Sequence, residues 1–507
     1  KALLPSCGDR ALRRGRSIDV MALAFFHVIC CTVLLWGCIK PRLVERDSWA
    51  TTAASLLRGE INFANDWVQA DDTAVSRFYL QRQDRPAWCG PTGPLSQVDA
   101  LLYMLATAED DGLRRQDYAY EHIRGEVAAW RDGSDKPDLL RLVRLDVLLT
   151  RAFLAYGGHL QRGRVDPRTI HGEWKAPVQA ADLSGLLETA LDLQHVGSAL
   201  ARLRPPQAGY NHLRDVLAKY RSLAASGGWP QLAPRIDASM VRRLTTMGDL
   251  PAEIKQPDRR QIAEAIAHFQ QRHGLAADGR LDDLTLAELN RPLTERIAAV
   301  ELNMERWRWL PHDPDTKYIL VRIADYELDA VEGGKAVLSM RVIVGKPYWR
   351  TPIFSAELTH LVINPYWYIP PSIAVEEVLP RIKRDPDYLR RHDISVFAVT
   401  DMQSRSVDPV GIDWAKISSE GFDYSFAQAP GPDNPLGRLK FIFPNPYNVY
   451  LHDTPNSELF EKKKRAFSHG CIRLEKSADL AAYILRGQGN WPLRRIEQAI
   501  QSQINRQ

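Results

Sequence analysis

The sequence predicts a multidomain α+β protein, and three features of the chain lead to this fold class. Its 507 residues exceed one average domain and fit two to four. Apolar residues recur at three- and four-residue spacing as far as about Met247, which is typical of helices. After Leu302 the pattern changes to β-rich runs separated by turn residues. We therefore expect helical domains followed by a mostly β domain.

The composition is that of an ordinary globular protein. Apolar residues make up 45% of the chain and charged residues 25%, so a full core can form. The net charge of +4 is small for this length, and the sequence has no long basic run. The composition therefore gives no reason to expect nucleic-acid binding.

A nearly uninterrupted apolar segment runs from Val20 to Ile39, and four arginines precede it. This length and polarity are typical of a membrane-spanning signal anchor with the bulk of the protein outside. We therefore predict a cytoplasmic N-terminus at residues 1–17 and a membrane anchor at residues 18–39. The alternatives are a cleaved signal peptide, although the usual small-x-small triplet is absent, and a lipoprotein processing site at Cys38.

Residues 40–250 are predicted to form a mainly α-helical scaffold domain. Helical spacing is clear in the run Val98, Leu101, Leu102 and Leu105. Polar linkers that contain glycine or proline, such as residues 132–135, interrupt the pattern. No catalytic or metal-binding cluster of residue types is visible in this part of the sequence.

Residues 251–295 are predicted to form a compact helical unit. Two amphipathic helices, Ile262–Arg272 and Asp283–Leu289, flank a turn at Asp278-Gly279. By itself this pattern predicts no more than a helical hairpin. The unit nevertheless resembles the small three-helix peptidoglycan-binding domain of many wall enzymes, on the string Phe269-Gln270, His273-Gly274-Leu275, Asp278-Gly279, Leu286 and Leu289-Asn290.

Residues 296–507 are predicted to form a mostly β domain. The expected strands are 318–323, 326–328, 339–344, 358–364, 438–443 and 448–452, with a hairpin turn at Gly333-Gly334. A Pro-rich, partly helical and then irregular insertion is expected at about residues 370–428, with its helix at Val375–Lys383. The last helix is expected at Ala478–Arg486, ending at Gly487.

One cysteine stands apart from the others. Four of the six lie in or before the apolar N-terminal segment, which leaves Cys89 and Cys471 for the rest of the chain. A disulfide between these two is the alternative to a free thiol. Cys471 follows Gly470 in the string Ser-His-Gly-Cys, a setting that a buried structural cysteine does not require.

An imidazole lies upstream of this thiol. Alternation along the predicted strand 448–452 places Val449 and Leu451 on one face and Tyr450 and His452 on the other. A thiol is a good nucleophile as the thiolate, which an adjacent imidazole can stabilise. Backbone N–H groups around Cys471 can form an oxyanion hole. These residue types therefore predict acyl transfer through a thioester.

Several motifs extend this pattern: His452, fifteen intervening residues and then Ser468-His469-Gly470-Cys471-Ile472-Arg473; Val344-Gly345-Lys346 before Thr351-Pro352; Asn364 to Pro371; and Gly431-Pro432 before Asn434-Pro435-Leu436-Gly437. Together they resemble the L,D-transpeptidase family, with its YkuD-type catalytic domain. With the scaffold and the wall-binding unit, the chain is similar to the large YcbB-like members. In those the insertion acts as a cap over the substrate.

The resemblance implies roles for particular residues. Cys471 would be the nucleophile and His452 the general base. Asp453 would orient the imidazole, often through its backbone carbonyl, although its carboxylate could equally be a solvated loop charge. Ser468, His469 and Gly470 would support the nucleophile and its oxyanion hole, and the expected substrate-binding residues are Arg473, Trp367 and Tyr450. For Arg473 the alternative is a salt bridge, and for Trp367 a place in the core.

The implied reaction joins two peptidoglycan peptide stems. Cys471 attacks the carbonyl before the terminal D-Ala of a tetrapeptide stem, D-Ala leaves, and an amine of a second stem takes the acyl group to give a 3→3 cross-link. The resemblance also implies acylation by carbapenems, no metal and no cofactor. The expected location is the cell envelope, facing the periplasm, with peptidoglycan stems, the membrane and other wall-synthesis proteins as partners.

Other functions compete with this interpretation. An L,D-carboxypeptidase or a lipoprotein-attaching relative would use the same nucleophile with water or a protein lysine as acceptor. A catalytically silent wall-binding scaffold is disfavoured by the intact His452 and Cys471. A papain-like protease is disfavoured because its cysteine precedes its histidine.

Overall fold

The structure is a computed structural model. It describes residues 48–49, 51–52, 54–55, 71–90, 92–133, 138–172, 174–176, 182–312, 317–400 and 403–507. The predicted N-terminus and membrane anchor at residues 1–39 lie outside this part of the chain. Within the described ranges, no helix has the length and apolar character needed to cross a membrane.

The first domain is mainly helical, as the sequence predicts. Its longest helix, Leu139–Arg162, begins where the Asp138 carboxylate accepts the Leu140 N–H at 3.0 Å, and it ends before Gly163, whose φ is 82°. Most of its residues are buried in the domain's apolar core. The helices of this domain are Asp72–Gln81, Gln97–Ala106, Tyr120–Arg131, Leu139–Arg162, Pro167–Ile170, Leu183–Asp192, Val196–Ala201 and Ala208–Ala225, with 3₁₀ turns at Ala108–Asp111 and Arg115–Tyr118.

A short hairpin, β1 (Cys89–Gly90) with β2 (Gly93–Pro94), closes over this core. The buried carboxylate of Asp146 accepts the backbone N–H groups of Trp88 and Cys89, each at 2.8 Å. Burial raises the pKa of the Cys89 thiol far above its ordinary value, and Asp146 adds to the shift. Cys89 and Cys471 are both free thiols, so the disulfide alternative does not hold.

Three helices form the second unit: Ala238–Met247, Arg259–Arg272 and Asp283–Leu289. They bury one apolar cluster that includes Met240, Ile266 and Leu289. A capping box at Asp258 and Gln261 begins the middle helix, and Gly274 follows its last turn with a φ of 68°. The cluster includes the helix Ala238–Met247, which lies before the expected domain boundary at residue 251.

The helix Leu293–Arg308 joins this unit to the C-terminal domain and packs along the scaffold helix Ala208–Ala225. Its buried Arg308 donates to the Tyr210 hydroxyl at 3.0 Å. A second contact lies near the active-site loops, where the N–H of Lys175 donates to the carbonyl of Ile353 at 2.7 Å. The scaffold therefore supports the catalytic domain directly.

The C-terminal domain is built on an eight-stranded sheet. Its strands are β3 (Lys317–Arg322), β4 (Glu327–Glu332), β5 (Lys335–Gly345), β6 (His360–Ile363), β11 (Leu439–Ile442), β12 (Leu451–His452), β13 (Ala466–Ser468) and β14 (Ile472–Leu474). They lie in the order β3-β4-β5-β14-β12-β11-β6, and β13 pairs with β5. Gly333 and Gly334 both have positive φ in the turn between β4 and β5, as a tight hairpin requires.

The two faces of this sheet differ in character. Leu439, Phe441, Leu451, Ile472 and Leu474 point to one face and are buried in its core. The helices Ser477–Ile484 and Leu493–Gln501 pack into the same core. Because successive side chains alternate, the residues between them point to the opposite face. The helix expected at Ala478–Arg486 is observed at Ser477–Ile484. The prediction that it is the last helix is wrong, because the helix Leu493–Gln501 follows it.

The insertion is more ordered than the sequence suggests. It folds as a second sheet of four strands, β7 (Trp367–Tyr368), β8 (Ile394–Thr400), β9 (Gln403–Val407) and β10 (Tyr424–Gln428), in the order β7-β10-β8-β9. Helical segments precede β8: Pro371–Ile373, a π-helix at Ala374–Val378, Leu379–Arg384 and Tyr388–Arg391; 3₁₀ turns lie at Pro409–Gly411 and Trp414–Lys416. The prediction that the second half of the insertion is irregular is therefore wrong. Its aromatic side chains Trp414, Phe422, Tyr424 and Phe426 pack in the apolar core of this sheet.

Candidate active site

Three polar side chains lie in register across neighbouring strands of the main sheet. Lys440 on β11 is paired with His452 on β12, and His452 is paired with Arg473 on β14. Paired residues in a sheet point to the same face, so these side chains form a row on the face opposite the apolar core. The row places an imidazole between two cations.

Cys471 stands at the start of β14, on this same face, because the next residue, Ile472, points into the core. Ordinary strand spacing puts the Cα atoms of Cys471 and His452 roughly 8 Å apart. This separation is within the combined reach of the two side chains. The structure therefore brings thiol and imidazole to one side of the sheet.

The loop before Cys471 is held in an unusual conformation. Gly470 has a φ of 116°, which a residue with a side chain rarely adopts. Its carbonyl accepts a hydrogen bond from the hydroxyl of buried Thr351 at 2.8 Å, and that hydroxyl accepts the N–H of Gly345 at 3.0 Å. The end of β5 thus fixes the loop that carries Cys471.

Ser468 closes the loop from the other side. Its buried hydroxyl donates to the Cys471 carbonyl at 2.5 Å and accepts the Gly470 N–H at 3.1 Å. The Gly470 N–H is therefore engaged within the loop, and it is not a free donor for an oxyanion hole as the sequence suggested. The N–H of Cys471 has no acceptor among the hydrogen bonds of the described residues, so it is available for that role.

The orientation of His452 is set by the next residue. Its Nδ1 lies 2.6 Å from the carbonyl oxygen of Asp453. A carbonyl oxygen can only accept, so Nδ1 carries the hydrogen and Nε2 is left unprotonated. The imidazole is therefore in the tautomer that can take a proton at Nε2.

The Asp453 carboxylate is neither a solvated loop charge nor a partner of the imidazole. It accepts the Arg438 N–H at 2.8 Å and the Ser477 hydroxyl at 2.9 Å. These bonds tie the end of β12 to the start of β11 and to the first turn of the helix Ser477–Ile484. The side chain thus holds the backbone whose carbonyl orients His452.

Burial favours the neutral form of the imidazole. His452 is 4% exposed, and its burial, together with the charges of Arg473 and Lys440, lowers its pKa to about 3. The carbonyls of Asp453 and Leu436 oppose this shift only in part. His452 is therefore a neutral base at physiological pH.

The thiol is also neutral at rest. Burial raises the pKa of Cys471, although the Tyr450 N–H and the charges of Lys440 and Arg473 act in the opposite direction. The thiol donates to the carbonyl of Asn448 at 3.7 Å. Among the described residues no hydrogen bond joins Sγ directly to the imidazole, so the resting pair is thiol and imidazole and not thiolate and imidazolium.

His469 connects the nucleophile loop to the insertion. Its Nε2 lies 2.8 Å from the carboxylate of Glu377, which stands on the π-helix of the insertion, and its ring stacks on Trp349 with centroids 4.0 Å apart. Burial lowers the pKa of His469, and the charge of Glu377 opposes this shift. This side chain therefore links the loop that carries Cys471 to the insertion.

The expected substrate-binding residues separate in the structure. Arg473 and Tyr450 lie beside Cys471. The backbone N–H of Tyr450 and the positive charge of Arg473 both act to lower the pKa of the thiol. Trp367 instead packs against the apolar core of the insertion, which is the alternative that the sequence left open.

Sequence reasoning missed Lys440 and Glu377 as parts of the site, and it gave Thr351 no role although Thr351 stands in one of the matching motifs. Lys440 interrupts the apolar run Leu439–Ile442 at an alternating position, which is a signal for the polar face of that strand. Glu377 carries no comparable signal, because its contact with His469 depends on how the insertion folds back.

Models of known domain families match three parts of the chain. Residues 73–217 match a scaffold domain, residues 239–289 a domain provisionally described as peptidoglycan binding, and residues 316–492 the YkuD L,D-transpeptidase catalytic domain. The second match includes the helix Ala238–Met247, in agreement with the apolar cluster of that unit.

A curated relative supports the same assignment. A Haemophilus influenzae protein, provisionally named an L,D-transpeptidase, is 40% identical over 197 residues. The aligned part is 39% of this chain and 38% of the relative, so the chain spans about two-fifths of that protein's length. The chain thus matches, in order, models of a scaffold domain, a peptidoglycan-binding domain and an L,D-transpeptidase catalytic domain, the three resemblances that its sequence motifs predict.

Proposed function

We propose that this protein is an L,D-transpeptidase that forms 3→3 cross-links in peptidoglycan through an acyl-enzyme on Cys471. The observation that carries the proposal is the position of a free thiol and a neutral imidazole on one face of the sheet, in a domain that matches this family. The match of the three-helix unit to a peptidoglycan-binding domain supports peptidoglycan as the substrate.

The first half-reaction makes the thioester. Sγ attacks the carbonyl before the terminal D-Ala while its proton passes to Nε2 of His452. The Cys471 N–H stabilises the tetrahedral oxyanion. The C–N bond then breaks as His452 returns the proton to the amine of the departing D-Ala.

The second half-reaction transfers the acyl group. The side-chain amine of a neighbouring stem attacks the thioester, and His452 takes a proton from this amine. When the C–S bond breaks, the proton goes to the sulfur and the free thiol is restored. Because the thiol and the imidazole are both neutral at rest, a proton is transferred to His452 during the nucleophilic attack in each half-reaction.

The test is mass spectrometry of the products from purified disaccharide tetrapeptides. The wild type is expected to give 3→3 dimers and free D-Ala, and Cys471→Ala to give neither. Release of D-Ala with tripeptide monomers alone would assign an L,D-carboxypeptidase, in which water is the acceptor. No product and no covalent adduct with wild type would support a silent wall-binding scaffold.

The location in the cell envelope belongs to the same proposal. It depends on the apolar segment at residues 18–39 and on the choice of a wall polymer as substrate. Fractionation of cells that express the full chain tests it, and recovery in the soluble cytoplasmic fraction would contradict it.

A further inference from the structure

Two cations beside the nucleophile lack an anionic partner. Lys440 and Arg473 are both half-buried, and neither forms an ion pair with a carboxylate of the described residues. Nε of Arg473 is buried and has no hydrogen-bond partner within the described part of the chain. Burying a cation without a partner costs free energy, so such residues are commonly retained for a ligand.

The contacts that these cations do make leave their charges available. The ammonium of Lys440 lies 3.8 Å from the centroid of the Tyr450 ring, a cation–π contact that offsets part of its desolvation. Glu377 is close enough to act on the charge of Arg473, but its carboxylate oxygens lie 2.8 Å from Nε2 of His469 and 3.5 Å from the guanidinium of Arg381. The field of both cations therefore reaches Cys471 and His452.

The proposed reaction brings an anion to this place. In a tetrapeptide stem, the residue that leaves carries its carboxylate one Cα beyond the scissile nitrogen. Standard bond lengths put that carboxylate carbon about 3–4 Å from the carbonyl that Sγ attacks. A stem with one more residue would carry its carboxylate about 3.8 Å farther along the chain.

We propose that Lys440 and Arg473 together bind the terminal carboxylate of the donor stem and so select stems that end one residue after the scissile bond. This inference rests on the proposed function. Charge-assisted hydrogen bonds from the two sides of the row would hold the carboxylate beside His452. An anion between the cations also weakens the field that opposes protonation of His452, so binding the correct donor favours proton transfer from the thiol.

The first test uses the thiol as a reporter and does not require turnover. Iodoacetate and iodoacetamide alkylate Cys471 with loss of iodide, and the two reagents differ in the carboxylate. The modified Cys471 peptide is quantified by mass spectrometry in wild type, Lys440→Met, Arg473→Met, Lys440→Arg and the exposed-lysine control Lys463→Met. We expect the iodoacetate-to-iodoacetamide rate ratio to fall about tenfold in each Met variant at the row and to be kept in Lys440→Arg and Lys463→Met. Equal ratios in all five proteins would overturn the proposal.

The second test uses donors that end in a free carboxylate or in a carboxamide. Wild type should acylate faster from the carboxylate donor, and Lys440→Met should lose this preference while Lys440→Arg keeps it. Equal rates from both donors in wild type would contradict the proposed carboxylate site and leave the transpeptidase proposal intact. If no donor acylates wild type, the proposed function fails, and the alkylation ratio still decides whether the anion site exists.

Discussion

The Nδ1 of His452 and the carbonyl oxygen of Asp453 lie 2.6 Å apart, so adjacent residues fix the tautomer of the imidazole. The Asp453 carboxylate supports this contact indirectly, since it anchors the backbone through the Arg438 N–H and the Ser477 hydroxyl. A backbone carbonyl thus orients the base without placing a negative charge on it. The neutral carbonyl opposes the lowering of the His452 pKa only in part, so burial and the charges of Arg473 and Lys440 keep this pKa low.

Replacing His452 by Gln should reduce the acylation rate by about 10²–10⁴-fold, the usual contribution of a general base. Gln keeps a polar group of similar size, so the thermal melting profile should change little. Stopped-flow or quench-flow mass spectrometry of the acyl-enzyme measures the rate. Loss of less than a factor of about three would mean that another group takes the thiol proton.

The Ser468 hydroxyl is expected to position the nucleophile loop. In Ser468→Ala, the Gly470 N–H and the Cys471 carbonyl lose their partner, and leaving buried groups unsatisfied costs about 1–3 kcal/mol each. We expect a lower melting temperature together with a lower kcat. The exposed Ser457→Ala in the same domain serves as the matched control. Unchanged kcat in a destabilised Ser468→Ala would show that the loop geometry does not affect the chemistry.

The alkylation of Cys471 should depend on pH in a characteristic way. Because burial raises the pKa of the Cys471 thiol above its ordinary value, only a small fraction is thiolate at pH 7. Only the thiolate reacts with iodoacetamide, so the rate should rise with pH throughout the range from 6 to 9 without a plateau. A rate that is already maximal at pH 6 would instead indicate a thiolate–imidazolium pair and contradict the neutral resting state.

The contact between Glu377 and His469 should restrain the cap. In Glu377→Gln the charge is lost while the shape is kept, which should weaken the contact by up to about 1 kcal/mol because both groups are part-exposed. Hydrogen exchange in residues 371–384 should become faster. The exposed neighbour Glu376→Gln is the control. Equal exchange in both variants would show that the cap does not depend on this contact.

Local sequence pattern predicts much of the fold because the main elements depend on local periodicity. The strand Lys317–Arg322 follows from its run of β-branched and aromatic residues, and the helix Asp283–Leu289 follows from helical spacing. The turn at Gly333-Gly334 follows from the need for positive φ. These are cases in which the signal and the structure lie within a few residues of each other.

The insertion could not be predicted in the same way. Its strands β8 and β10 pair across a gap of more than twenty residues, and its aromatic side chains become a core only after that pairing forms. Likewise, the row of Lys440, His452 and Arg473 depends on the register of β11, β12 and β14, and β13 lies between the last two in sequence. Register is a long-range property, and a single sequence does not display it.

The most direct test of the account is the intact mass of the protein after brief exposure to a tetrapeptide donor without acceptor. Wild type should gain the mass of the donor minus D-Ala, with the addition located on the Cys471 peptide, and Cys471→Ala should gain nothing. An adduct that forms equally in Cys471→Ala, or D-Ala release by wild type without any covalent species under rapid quench, would contradict thioester catalysis at this residue.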